Sequence, residues 1–563
     1  MFFNLRRNKK NTYFRLFDNE ALKKVHKRIF FGTSIFILIY FSVYVKLTQV
    51  MVFSNLFKDD NLIVINEEKK VRGNIYDRNG ELLATSLRSF SLSANPKKLN
   101  NKEFIASKLS DILGIKKIDI INKINKEISF VWIKRDITPN QHFHINNLGE
   151  IGLQIHKEQK RLYPQGNIIS HVVGFTDIDE NPLSGIERGM NYKLENNEDV
   201  YLSIDIRLQN LITEELRKTI NKFNAVGGMS VILDINNGQL LATSSLPDFD
   251  PNNINFFPRE SFFNSATHGV FEMGSTFKPI TMAIGLDSKK IKLTDTFEVN
   301  SPIKIGKFTI DDYYSLEGPL SIREIIVNSS NIGTAKVAEV IGSNVLKKYL
   351  EKFGLLEKLS LEIPETGTPL IPNPWLPINT MTIGYGYGLS ITPIQLCSVY
   401  ASLVNNGQLI QPTFIKKEGK ILSSDVITEQ TSNKLRDLLR AVILETKWTG
   451  PRAKVAGYQV GGKTGTAELL EKKGYLKKAN LSSFIGVFPM NEPKYVVLVM
   501  IKNPKGIEET YFNTTGAWVS APVVSNIIKK MVNIIGLPPD SNSERYNANL
   551  KKIKFNGQSR ATL

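Results

Sequence analysis

The first strong pattern along the chain is an uncharged run at 29–45, rich in Ile, Phe and Tyr. Lys46 can snorkel and residues 47–53 extend the run, so the pattern predicts a membrane-spanning helix over 29–50. The run exceeds the core of a secretory signal, and no small-x-small cleavage site follows it, which predicts a retained anchor. Arg6, Arg7, Lys9, Lys10, Arg15, Lys23, Lys24, Lys27 and Arg28 precede it, opposed only by Asp18 and Glu20. The positive-inside rule then places residues 1–28 in the cytoplasm and the chain beyond about residue 50 on the far side of the inner membrane.

After the anchor the pattern changes several times. Val71 to Gly80 reads as a strand entering a turn, with Asn79-Gly80 as the hairpin signal. Residues 95–150 alternate helical patterns with charged linkers, and 161–166 are rich in turn residues. Residues 200–204 form a short strand pattern, and a helical pattern runs from Asp205 to about Phe223. Beyond Gly228, 229–234 reads as a buried strand, Asn237-Gly238 as a hairpin turn and 239–243 as the partner strand. Further strands are predicted near 458–460, 483–487 and 495–500, with helical patterns between the two groups. That order predicts an α+β fold: an elongated domain over 51–222, then a compact domain over 223–540 with an antiparallel sheet and a helical subdomain. Residues 541–563 read as a polar, disordered tail.

Composition narrows this picture. At 563 residues the chain is too long for one core, and 42% hydrophobic with 22% charged residues is ordinary for a folded protein. The net charge is +18, but basic residues form no long arm beyond the first 28, and neither zinc-finger spacing nor an RNA-binding aromatic signature is present. No nucleic-acid partner is expected. The lone Cys397 excludes a disulfide within the chain, and its apolar neighbours predict a small buried hydrophobe. The six His have no metal-ligand spacing, so neither a metal nor a cofactor is expected.

Three short motifs carry candidate chemistry. In Gly274-Ser275-Thr276-Phe277-Lys278-Pro279, a helix opening here would put Ser275 and Lys278 one turn apart on one face. A serine hydroxyl needs a base, and a lysine becomes one only when burial or a second cation lowers its pKa. A helix N-terminus also offers amides to a developing oxyanion. In Ser329-Ser330-Asn331, Ser329 could relay a proton, and Asn331 could hold a substrate carbonyl or the lysine. In Lys463-Thr464-Gly465-Thr466, Lys463 would supply charge, the Thr464 and Thr466 hydroxyls could bind a terminal carboxylate, and Gly465 would let a peptide lie along the strand. The Thr466 amide could complete an oxyanion hole. Each motif is weak alone; in this order they form the set associated with penicillin-binding proteins and β-lactamases.

A competing pattern overlaps the third motif. Gly457 to Thr464 satisfies the phosphate-loop form G-x-x-x-x-G-K-[ST]. Such a loop must lead into a helix, and Gly465 interrupts its start, although 467–471 could be helical. The expected compartment also lacks nucleotide.

The chain resembles a class B penicillin-binding protein over nearly all of its length beyond the anchor. Arg72 to Gly80, Arg161-Leu162-Tyr163-Pro164 and Gly185-Ile186-Glu187 resemble the family's pedestal motifs. Residues 246–252 and Gly384-Tyr385-Gly386-Tyr387-Gly388 resemble its catalytic-domain signatures. Val455-Ala456-Gly457-Tyr458 and residues 518–524 are similar to the FtsI-type cell-division transpeptidases, with the elongation-specific proteins as the near alternative. Ser329 and Lys463 follow Ser275 by 54 and 188 residues, a spacing similar to the family's. Gly461-Gly462 and Glu468 depart from common residues without removing a reacting group.

The resemblance implies a pedestal followed by a transpeptidase domain. It implies a D-Ala-D-Ala transpeptidase acting through a Ser275 acyl-enzyme, with stem peptides as donor and acceptor and β-lactams as inhibitors. It also implies a SEDS-type glycosyltransferase and division regulators as partners. A β-lactamase is disfavoured, because no carboxylate to activate deacylating water is evident. A sensor or a non-catalytic division scaffold is the rival from outside the enzymes. Arg72, Asp77, Arg78 and Glu187 are expected to form a structural ion-pair network.

Overall fold

The computed structural model describes residues 19–48, 71–306, 308–418, 423–471 and 474–540. The readings made for residues 1–18, for 49–70 and for the tail 541–563 lie outside the described residues. The chain forms two units, Met1–Lys69 and Lys70–Leu563.

The first unit contains helix α1, Asn19–Thr48. Its membrane-length stretch, Lys27–Thr48, is 22 residues long and apolar over most of that length. At about 1.5 Å per residue this reaches across a hydrocarbon layer of about 30 Å. The helix begins ten residues before the apolar run, since nothing in 19–28 breaks a helix.

The second unit opens with β1 (Ile75–Tyr76) and the long β2 (Leu82–Ala94), which pair antiparallel around the turn at Asn79-Gly80. Next come α2 (Lys102–Leu113), α3 (Lys117–Ile124), β3 (Val131–Ile137), α4 (Pro139–Asn146) and β4 (Leu153–Leu162). β3 and β4 both pair with β2. Leu92, Ile105, Leu109, Ile120, Ile133 and Ile145 form a small core of their own here. β4 did not stand out in the sequence. It reads Leu-Gln-Ile-His-Lys-Glu-Gln-Lys-Arg-Leu and most of it is only partly buried, so burial left no clear alternation to see.

Strand β5 (Val200–Tyr201) pairs parallel to β1, and α5 (Ile206–Lys222) follows with Asp205 as its N-cap. The expected ion-pair network is present in altered membership. The Glu187 carboxylate takes the Arg72 Nε at 2.7 Å and the Arg161 Nε at 2.7 Å, all three residues being buried. Asp77 is not in this cluster: it accepts the amides of Asn79 (2.7 Å), Glu81 (2.9 Å) and Ile206 (3.1 Å), tying the β1 turn to the start of α5. The Arg78 backbone amide bonds to Ile204 O, and Arg161 takes the place expected for these two residues.

The central sheet contains β6 (Gly227–Asp234), β7 (Leu240–Leu246), and three later strands. Between them lie α6 (Lys278–Asp287), α7 (Ile322–Asn328), α8 (Asn331–Ile341), α9 (Pro393–Val404) and α10 (Glu429–Glu445). The later strands are β8 (Gly461–Glu471), β9 (Gly474–Phe488) and β10 (Tyr495–Lys502), followed by α11 (Ser520–Ile535). The order across the sheet is β8-β9-β10-β6-β7, all antiparallel. Val496 to Ile501 of β10 are all buried. Neighbouring strand residues point to opposite faces, so both faces of the sheet are covered. α5 and α11 pack against each other and on the sheet, and α9 packs on β6 and β10.

Two strand readings shift. Residues 458–460 are not a strand; the strand begins at Gly461 and contains the Lys463 motif itself. Residues 467–471 continue that strand rather than forming a helix. The phosphate-loop reading fails on this point, since Thr464 leads into a strand and leaves no helix N-terminus for a phosphate.

Candidate active site

The site is assembled on a turn that is held from several sides. Gly274–Phe277 forms a 3-10 turn that runs directly into α6. At about three residues per turn, Ser275 and Lys278 share one side of it. Gly274 has φ +51° and its amide donates to Gly386 O at 3.1 Å. Gly386 has φ +97°, and a Cβ there would lie 2.0 Å from Gly274 O, so only glycine fits. Buried Tyr400 on α9 donates its hydroxyl to Thr276 O at 2.6 Å, and Thr281 Oγ1 donates to Gly384 O at 2.7 Å. Cys397 is fully buried on the same helix α9, and burial holds its thiol well above the ordinary range.

The second motif closes over the first. Ser329 caps the end of α7 in the left-handed region, φ +59° and ψ +40°. Lys278 Nζ donates to the Ser329 carbonyl and, at 3.2 Å, to Ser329 Oγ. Lys463 Nζ donates to the same Oγ at 2.9 Å and to Thr464 O at 3.2 Å. Three predicted residues, Lys278, Ser329 and Lys463, thus meet at one hydroxyl. Ser275 stands half-exposed one turn before Lys278, and among the described residues the two share no hydrogen bond.

Asn331 is placed differently from the other three. Its Nδ2 donates to Asp311 O at 2.8 Å, and it heads α8 without reaching either lysine among the described contacts.

β8 forms the wall of the cleft and lies at the end of the sheet order, packed beside the Ser275 turn. Gly465 pairs with Ser483, and a Cβ on Gly465 would lie 2.9 Å from Thr276 Cγ2 and 3.0 Å from Met273 O. A glycine is what lets the Ser275 turn sit against the strand. Thr464 and Thr466 are half-buried beside it. Thr466 Oγ1 accepts the Gly516 amide at 3.3 Å, and Thr466 O accepts the Tyr387 hydroxyl at 3.4 Å.

The electrostatics follow from burial. Lys278 and Lys463 are both buried. Desolvation, reinforced by the Lys463 charge and opposed by Asp312, holds Lys278 well below its ordinary value. Burial brings Lys463 down to about 7. Near neutral pH this cleft can hold a neutral lysine beside a protonated one, which suits removing a proton from one hydroxyl and delivering it elsewhere.

Sequence reasoning did not find Asp312, Gly516 or the role of Tyr387. The signature around Gly386 was visible in the sequence, but its task of receiving the nucleophile turn was not. Asp312 carries no local pattern, because its partners are 18 to 20 residues away.

The penicillin binding protein transpeptidase domain family matches residues 228–529, and the penicillin-binding protein dimerisation domain family matches 67–200. A probable peptidoglycan D,D-transpeptidase FtsI of Caulobacter vibrioides is 31% identical over 485 residues, covering 83% of this chain and 82% of that one. The peptidoglycan D,D-transpeptidase FtsI of Escherichia coli K12 is 28% identical over 505 residues, covering 84% of each chain. The fold is shared with penicillin binding protein 3 of Mycobacterium tuberculosis, with TM-score 0.66 at 23% identity over 83% of this chain and 97% of that one. This chain therefore belongs to the penicillin-binding protein transpeptidase family, as a class B member of the FtsI type.

Proposed function

We propose that the chain is a serine-type peptidoglycan D,D-transpeptidase that cross-links stem peptides. Ser275 attacks the carbonyl of the penultimate D-Ala. Its proton passes to Lys278, the C–N bond breaks, and the terminal D-Ala leaves with a proton delivered through Ser329 and Lys463. The amine of a second stem peptide then attacks the Ser275 ester, forms the cross-link and returns the proton to the cleft. The observation that carries this reading is the meeting of two buried lysines at the Ser329 hydroxyl, one of them, Lys278, a single turn after Ser275 in the chain. Thr464, Gly465 and Thr466 are assigned to holding the donor peptide along β8, with the Thr466 amide in the oxyanion hole. Asn331 is assigned to the substrate carbonyl, for which its Nδ2 has a second N–H beside the one given to Asp311 O. β-Lactams, as mimics of the terminal dipeptide, acylate the same serine.

The apolar helix α1 supports an inner-membrane anchor. We assign residues 1–28 to the cytoplasm, 29–50 to the span, 51–222 to the pedestal and 223–540 to a periplasmic transpeptidase domain. A SEDS-type polymerase and division regulators are the assigned partners, and the septum the assigned place of action.

The reaction is tested with the purified chain, a thioester analogue of the D-Ala-ended donor and an acceptor amine. Leaving-group release and transfer product are expected, with neither in Ser275→Ala; equal turnover by Ser275→Ala would remove the assignment. Depletion in cells separates the septal role, which gives filaments, from an elongation role, which gives rounded cells. Complementation by Ser275→Ala would indicate a scaffold.

A further inference from the structure

Asp312 lies 17 residues before Ser329, half-buried in the loop after the hairpin of Ile303–Ile305 with Phe308–Ile310. Its carboxylate gathers the segment that follows Ser329. Oδ2 accepts the Ser330 hydroxyl at 2.7 Å, while Oδ1 accepts the amide of Asn331 and, at 3.1 Å, that of Ile332. These amides open the eleven-residue helix α8, where a carboxylate is also favoured by the helix dipole. Ser330 completes the cap by accepting the Gly333 amide at 2.9 Å.

The residue before this clamp is the one on which both lysines converge. Ser329 sits at φ +59°, a region that a residue with a Cβ keeps only when its surroundings enforce it. On one side Lys278 and Lys463 hold it through its carbonyl and hydroxyl. On the other, Asp312 fixes the next three residues. The carboxylate therefore has a mechanical role and an electrical one. Among the described residues, two charges act on Lys278: Lys463 on β8, which disfavours its proton, and Asp312, which favours it. The phenols of Tyr400 on α9 and of Tyr387 are both pushed up by burial and stay neutral in the working range.

We propose that Asp312 is a positioning residue of this cleft: it holds Ser329 between Lys278 and Lys463, and its negative charge biases which lysine keeps the proton. This rests on the acyl-transfer reading. If Lys278 must be neutral to take the Ser275 proton, removing the Asp312 charge makes Lys278 lose its proton at lower pH. The rising limb of acylation then moves down the pH scale.

The test is the rate of penicillin acylation against pH for the full-length chain, Asp312→Asn and Asp312→Ala, with thermal unfolding as the check on folding. Asp312→Asn keeps hydrogen-bonding capacity at Ser330 and the α8 amides but has no charge. Its midpoint is expected to fall by about one pH unit with little change in the plateau. Asp312→Ala also loses the clamp, so the same shift is expected with a plateau lowered by about tenfold or more. A purely structural residue would lower the plateau and leave the midpoint in place. Wild-type acylation with an unmoved midpoint in Asp312→Asn overturns the role of Asp312 alone; a wild-type chain that is not acylated at any pH overturns the acyl-transfer reading as well.

Discussion

Two clusters of buried charge in this chain have opposite designs. Around Glu187, two guanidiniums share one carboxylate, each at 2.7 Å. Around Ser329, two lysine amines share one neutral hydroxyl, at 3.2 and 2.9 Å. Arginine cannot give up its proton in a protein, so the first cluster is permanently ionic and its carboxylate is indispensable. Lysine can, and without a paired carboxylate at contact distance its neutral form becomes accessible. The first arrangement joins segments far apart in sequence: Arg72, Arg161 and Glu187. The second is the cluster to which the proton transfer is assigned. What separates a structural charge cluster from a reactive one here is the choice of cation and the presence of a counter-ion, since burial is common to both.

The contrast can be broken most severely at Lys278. Lys278→Ala should lower penicillin acylation of the chain by about 10²- to 10⁴-fold, the range for losing a general base. Unaltered acylation would mean that the paired lysines are structural after all. Next in size is Glu187→Ala, which leaves two buried guanidiniums without their carboxylate and should cost about 3–5 kcal/mol in denaturant unfolding. The pH midpoint of acylation should stay where it is in that variant, because the two clusters do different work.

Lys463 sharpens the comparison further through two smaller effects. Its native value near 7 lies below its ordinary 10.5, so between these pH values the unfolded chain binds the proton and the native chain does not. Stability from this group therefore rises with pH across that window, and the full penalty is present below about 7. Lys463→Met should be more stable than wild type near neutral pH, by about 1–4 kcal/mol, with the gap closing towards pH 10.5. Removing this cation also favours the protonated form of Lys278. The rising limb of acylation should move to higher pH by about one unit in Lys463→Met, opposite in direction to the shift expected for Asp312→Asn. A shift of the same sign in both variants would contradict the charge assignment.

Legibility in the sequence followed the reach of each interaction. Ser275 and Lys278 are three residues apart and readable as a pair, and the apolar run that marks 229–234 as a buried strand is local. The order of the three motifs was readable because each is a short fixed string. Ser329 could be named, but its left-handed backbone could not, since the lysines and Asp312 that enforce it come from distant segments. Asn331 was read as holding either a substrate carbonyl or the lysine, and its side chain donates to Asp311 O. The Lys463 strand was placed too early because 458–460 is apolar enough to look like a strand, whereas Gly461 to Thr466 owes its extended form to its register with β9. Asp77 and Arg78 looked like members of the ion-pair network by charge alone; Arg161 holds that place because β4 carries it to Glu187.

The most direct measurement of the central claim is mass-spectrometric mapping of the penicillin adduct on the full-length chain. A single, slowly released acyl group on Ser275, absent from Ser275→Ala, is the predicted result. Adduct formation at another residue, or rapid penicillin turnover with no adduct on Ser275, would contradict it.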